Sequence, residues 1–173
     1  MKTIIKIIAV CACCVLLIGF IVPERIKIPV SGASKKDWNE KSFWYEPWGS
    51  SGVHKGIDIF GKIGTGIQST TDGIVLYKGK LPKGGNVIWI LGPKWRFHYF
   101  AHLNTINTSI LSFVKSGEKI GTLGNSGNAR GTPPHLHYSI IRLIPVPWAI
   151  DRSTQGYLKA VFIDPDSYLR GKR

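Results

Sequence analysis

The stretch Pro133-Pro134-His135-Leu136-His137-Tyr138-Ser139-Ile140 decides how the chain is read. Its aromatic and aliphatic residues predict a strand, in which successive side chains alternate faces. His135 and His137 then share one face, at about 6–7 Å separation, while Leu136 and Tyr138 turn to the other. One face is chemical and the other packs. The two prolines fix φ on entry, which makes the approach to the histidines stiff.

Two imidazoles on one face can hold a metal together, or one can bind while the other moves a proton, and either arrangement calls for partners elsewhere. His54-Lys55-Gly56-Ile57-Asp58 supplies them: a His and an Asp four apart, again an even spacing and again one face of an extended segment. His54, Asp58 and one histidine of the pair make a three-ligand zinc set with a fourth position open to water, the arrangement of catalytic rather than structural zinc.

The surrounding composition predicts an all-β domain. From Gly52 onward, glycine interrupts short β-branched runs every few residues, and helix signals are weak. Strands are expected over residues 56–60, 67–69, 73–78, 86–91, 95–102, 119–123, 135–142 and 159–163. Gly84-Gly85-Asn86, the stretch 124–128 and Arg130-Gly131-Thr132 are turn chemistry, with Asn86, Asn125 and Asp72 read as turn or capping residues. His98 shares its parity with His102 and is read as structural. Asp151, Asp164 and Asp166 show no spacing that suggests a second metal.

The front of the chain has a different character. Lys2 and Lys6 precede 16 uncharged residues, 7–22, and Pro23-Glu24-Arg25 closes the run. This reads as an export signal. With Lys6 snorkelling, the run approaches the lower limit of ~17 residues for a spanning helix. Bulky Phe20-Ile21-Val22 stands where a cleavage site would need small residues, which favours an uncleaved anchor with a cytoplasmic amino terminus over a removed signal peptide. All three cysteines, Cys11, Cys13 and Cys14, lie in this run, so the exported part has no disulfide and no thiolate ligand. Residues 23–48 read as a linker and an aromatic-rich lead-in; Trp38, Phe43, Trp44, Tyr45 and Trp48 are expected to cover one end of the core rather than line a groove.

The formal charge is +13, and 21 basic against 10 acidic residues remain after residue 22. A polyanionic neighbour follows. An exported chain without a recognition-helix pattern or basic block is not expected to meet nucleic acid; cell-wall polymers and anionic headgroups are the expected neighbours.

Taken in order, His54-x-x-x-Asp58, Gly64-Thr65-Gly66-Ile67, Thr71-Asp72-Gly73-Ile74-Val75, Tyr99-Phe100-Ala101-His102-Leu103, Gly117-Glu118-Lys119-Ile120-Gly121 and His135-Leu136-His137 resemble the lysostaphin-type (LytM-domain) zinc endopeptidases of bacterial cell walls. The similarity spans residues 49–169. It implies an antiparallel β-sheet groove walled by loops, a peptidase domain over residues 49–173, and zinc on His54, Asp58 and His137. It also implies His135 as general base, with His102 as a second catalytic histidine near the substrate oxyanion. The implied substrate is the peptide cross-links of peptidoglycan. The implied place is the cell envelope, anchored in the inner membrane with the domain in the periplasm or on the outer side, or secreted if residues 1–22 are removed. A non-catalytic wall-binding or amidase-activating module on the same fold, working through a protein regulator or partner, is the alternative. Ser139 departs from the pattern, since an acidic residue often stands there, and its absence puts the support of the ligand histidine in question.

Overall fold

The computed structural model describes residues 2–171. Its apolar front is a helix, α1 (Lys2–Ile21), long and apolar enough to cross a membrane; a signal sequence passes the same test. The rest is one antiparallel sheet of nine strands: β1 (Ile57–Phe60), β2 (Gly66–Gln68), β3 (Gly73–Leu81), β4 (Gly85–Gly92), β5 (Arg96–Ile106), β6 (Phe113–Val114), β7 (Lys119–Leu123), β8 (His135–Arg142) and β9 (Phe162–Ile163). A five-residue helix, α2 (Pro165–Leu169), follows, capped by the Asp164 carboxylate on the Asp166 amide. Several expectations shift: β3 runs on to Leu81, and β6 and α2 had no counterpart in the sequence reading. β5 runs on past His102 to Ile106, and the strand expected over 159–163 is reduced to β9 behind a 3₁₀ turn at Gly156–Ala160.

The order β1-β8-β5-β4-β3-β6 puts β8 between β1 and β5, so the strand carrying both histidines of the pair is central and cannot slip. Its packing face is the core: Leu136, Tyr138 and Ile140 are fully buried against Ile57 and Ile59 of β1 and Phe100 of β5. Truncating Leu136 to alanine would cost about 2–5 kcal/mol. The opposite face carries the polar residues, with Asp58 opposite His137 and Phe60 opposite His135 in register.

Residues 24–48, read as a linker, lie against the sheet. Val30 bridges Ile67, the Lys27 amide donates to Thr70 O, and the Phe60 amide donates to Asp37 O. The aromatics do not share one job, and Tyr45, 55% exposed, does not cover the core, contrary to expectation. Trp38 is buried in the core with its indole on Asp166, and Phe43 packs on the same cluster, as expected. Trp48 instead borders the cleft described below, which corrects the expectation of core covering for that residue.

β5 is where the sheet is irregular. Arg96 to Ala101 pair with β8, whereas Leu103 to Ile106 pair with β7. Against β4 the register runs from Phe100↔Ile88 to Leu103↔Asn86, so β5 carries an extra residue there, a β-bulge. His102 sits in this bulge at φ 64°, a left-handed conformation that histidine adopts more readily than most residues. Asn86 braces the bulge by donating to Leu103 O and Asn104 O, a more specific task than the turn role expected of it.

Candidate active site

β1 and β8 bring Asp58 and His137 together by register alone, and the loop entering β1 adds His54. His54 is fully buried, stacked under the Trp48 indole at 4.0 Å between centroids. The His54 Nε2 to Asp58 Oδ1 distance is 3.2 Å, His54 Nε2 to His137 Nδ1 is 3.0 Å, and His137 Nδ1 to Asp58 Oδ1 is 2.9 Å.

The far side of each ring determines what these atoms present to one another. His54 Nδ1 lies 3.0 Å from Ser42 O, and a carbonyl only accepts, so Nδ1 carries the hydrogen and Nε2 faces inward as a lone pair. His137 Nε2 lies 3.0 Å from Ser139 Oγ. That hydroxyl spends its own hydrogen on Lys55 O at 2.7 Å and must therefore accept from His137 Nε2–H, which leaves Nδ1 bare. The question raised by the missing carboxylate at position 139 is thus answered: a hydroxyl relay orients the His137 ring. Gly56 makes the relay possible, since a Cβ there would lie 2.5 Å from Tyr138 O and 2.6 Å from Ser139 Oγ.

Three acceptor atoms thus converge, mutually within 4.8 Å, with no hydrogen among them in the neutral tautomers. In the other tautomer, with the hydrogen on the facing nitrogen, the His137 and His54 imidazoles donate to the Asp58 carboxylate; burial alone would raise this carboxyl, but these hydrogen bonds outweigh it and hold it far below the usual carboxylate range. Burial lowers His137, with the Asp58 carboxylate opposing. An ionised carboxylate beside a neutral His137 imidazole is what metal binding requires of such groups.

Two further imidazoles face the same open cleft of ≈ 490 Å³, lined also by Trp48, Phe60 and Asn128. His135 Nδ1 donates to Pro133 O at 2.8 Å, and its Nε2 points inward, 3.9 Å from Asp58 Oδ2. His102 Nδ1 donates to Ser126 O at 2.9 Å, and its ring lies 5.0 Å from that of His135 and 6.1 Å from that of His137. Burial pulls His102 down to about 4, with the Ser126 carbonyl opposing, so it is neutral at pH 7. All five residues singled out in the sequence are thus neighbours. His98 is not among them: it is buried in the core with Nδ1 2.7 Å from the Tyr138 hydroxyl. The parity that placed it with His102 fails at the bulge. Sequence reading missed Trp48 as a cleft residue and the carbonyls of Ser42, Lys55 and Ser126. An aromatic six residues before His54 was available as a hint; carbonyls carry no sequence signal.

The profile of Peptidase family M23 matches residues 52–148, more than half of the chain. The chain belongs to this family. Among its M23 relatives, the L-Ala–D-Glu endopeptidase of Bacillus subtilis is 37% identical over 117 residues, 62% of this chain and 36% of that protein. The murein hydrolase activator NlpD of Escherichia coli is 36% identical over 105 residues, 60% of this chain and 27% of that protein. The chain thus matches between about a quarter and little more than a third of these relatives' length. Among solved structures, the catalytic domain of lysostaphin from Staphylococcus simulans superposes with a TM-score of 0.61 at 25% identity, over 79% of this chain and 95% of that one. The lysostaphin-type fold expected from the motifs is the fold found. The ligand set also fits the metal typical of M23 peptidases: two imidazole nitrogens and one carboxylate oxygen, their tautomers already fixed from outside, are a donor set suited to zinc.

Proposed function

We propose that this M23 protein is a zinc-dependent endopeptidase that hydrolyses peptide cross-links of bacterial peptidoglycan, working in the cell envelope from a membrane anchor formed by α1. The observation that carries the reading is the convergence of three bare acceptor atoms beside two more imidazoles that also present bare nitrogens to the cleft. His54 Nε2, Asp58 Oδ1 and His137 Nδ1 would hold the ion. When bound, it supplies Lewis acidity to the scissile carbonyl and makes water ionisable near neutral pH.

The chain's own groups do the rest. His135, its Nδ1 hydrogen committed to Pro133 O, takes the proton of the attacking water on Nε2 and returns it to the leaving amine. His102 has the same polarity: Ser126 O holds its Nδ1–H, so the nitrogen facing the cleft arrives as a base. It therefore accepts a hydrogen bond from the attacking water rather than donating to a developing oxyanion, which refines the role the resemblance implies. Trp48, stacked on His54, keeps water from the back of the ligand set.

The test is mass spectrometry of peptidoglycan fragments after incubation with the full chain, beside a His135→Ala variant and a chelator control. Loss of cross-linked fragments with new amino and carboxyl ends, absent in both controls, is the expected result. The similarity to an activator supports a second reading, a module that switches on another hydrolase. It predicts no cleavage by the pure protein, but binding to wall and stimulation of a partner, unaffected by His135→Ala.

A further inference from the structure

The end of the sheet opposite the cleft meets α1, and little chain separates the two. After Ile21 only Val22 and Pro23 intervene before Glu24, whose carboxylate is fully buried and held by Arg96 at 2.8 Å and 3.0 Å, Lys94 at 3.4 Å and the Tyr168 hydroxyl at 2.7 Å. Glu24 thus ties the helix exit to the turn Pro93–Trp95 at the start of β5. Trp95 reaches back along the helix: its indole donates to Leu16 O at 2.9 Å and lies in the notch left by Gly19, where a Cβ would meet the ring at 2.7 Å or closer. Leu16 is five residues, about 7 Å, up the helix from Ile21.

The same end of the sheet exposes apolar side chains. Ile74, Ile110, Leu111 and Phe113 are 43%, 52%, 75% and 61% exposed, and Ile74 and Phe113 form one apolar groove with Ile18, Val22, Pro93 and Trp95. Register explains the grouping: Ile74 pairs with Phe113 on one side and with Leu91 on the other, and Leu91 pairs with Phe97. Exposed Arg25, Lys27 and Lys115 flank these segments, and Lys27 packs beside Gly117.

We propose that this face, Trp95 with Ile74, Ile110, Leu111 and Phe113, is seated in the outer surface of the lipid bilayer that α1 spans. The inference rests on the anchor reading of α1 given above. A two-residue connection ending in a buried carboxylate leaves the domain no freedom to stand away from the membrane. Trp95, lying against the last turns of α1, enters at the depth where tryptophan is preferred, and the basic residues meet anionic headgroups. The consequence is a fixed reach. From Arg96 to His102 is six steps of β5, at most about 20 Å. The cleft therefore works on peptides within that height of the bilayer, not on remote wall layers.

The test uses the full chain reconstituted in vesicles of phosphatidylethanolamine and phosphatidylglycerol, with and without bromine on the acyl chains, which quenches tryptophan emission on contact. Flotation with the vesicles is read first. The expected result is flotation together with quenching of which a large share disappears in Trp95→Phe, stronger with bromine near the headgroups than near the chain ends. Phe113→Trp in the Trp95→Phe background should bring quenchable emission back. Flotation with the same quenching in wild type and Trp95→Phe, and none recovered by Phe113→Trp, would overturn the seat and leave the anchor standing. Failure to float would overturn both, while the zinc peptidase reading, measured separately on peptidoglycan fragments, would be untouched.

Discussion

The two halves of β5 carry one histidine each, four residues apart and on the same parity, and they do opposite things. In the half paired with β8, His98 and Phe100 face the core, and His98 is closed in against Tyr138. Where the strand changes partner to β7, one extra residue at φ 64° turns His102 to the other face, beside His135. A single inserted residue thus separates a packing imidazole from a chemical one. The difference teaches that strand parity assigns faces only as far as the next bulge.

The comparison breaks most decisively at the chemical end. His102→Asn keeps a residue that tolerates the left-handed bulge but removes the bare nitrogen. Cleavage should fall by about 10²–10⁴-fold, as for His135→Ala, with metal content and melting temperature close to wild type. Full activity in His102→Asn would mean that the bulge is only a structural corner. The next test lies between the two histidines of β5, at Ser139, which pairs with Tyr99. Ser139→Ala removes the acceptor of His137 Nε2–H, and metal affinity by competition with a chelator should drop about 10–100-fold, while Ser139→Thr restores most of it.

At the packing end the effect moves from activity to stability. His98→Phe leaves the Tyr138 hydroxyl unpaired in the core, a cost of about 1–3 kcal/mol in denaturant unfolding, with cleavage per folded molecule unchanged. A fall in activity without a fall in stability would contradict the division of labour along β5. The last test is of pH dependence. Burial, assisted by Arg96, holds His98 down at about 3 in the native state, against about 6.5 when unfolded. Below that upper value the unfolded chain takes a proton that the native protein refuses, so stability is full above it and declines as pH falls toward 3. The slope from this residue is at most one proton, about 1.4 kcal/mol per pH unit, and His98→Phe should flatten the acid limb of unfolding by that much.

Much of the site was legible in the order of residues because strand period fixes faces. The even spacing of His135 and His137, with Leu136 between, put that pair on one side by period alone, whereas His54 lies in the loop before β1, not on the extended segment its spacing suggested, and joins the set through packing. The glycine-punctuated runs marked an all-β domain, and the apolar run at the front marked a helix of its own. Long-range pairing supplied the rest. That Asp58 stands opposite His137 depends on the register of β1 with β8, 79 residues apart. Which ring nitrogen faces the cluster depends on the carbonyls of Ser42 and Lys55, and every residue has a carbonyl, so no sequence marks these two. Residues 31–36 look like a free linker because they are polar and small, yet the segment around them is held by backbone hydrogen bonds to strands far along the chain. Local chemistry, period and hydrophobicity are properties of a stretch and were determined by the sequence itself. Partner choice, tautomer and the turning of His102 into the cleft arise between stretches, and only the tertiary structure decided them.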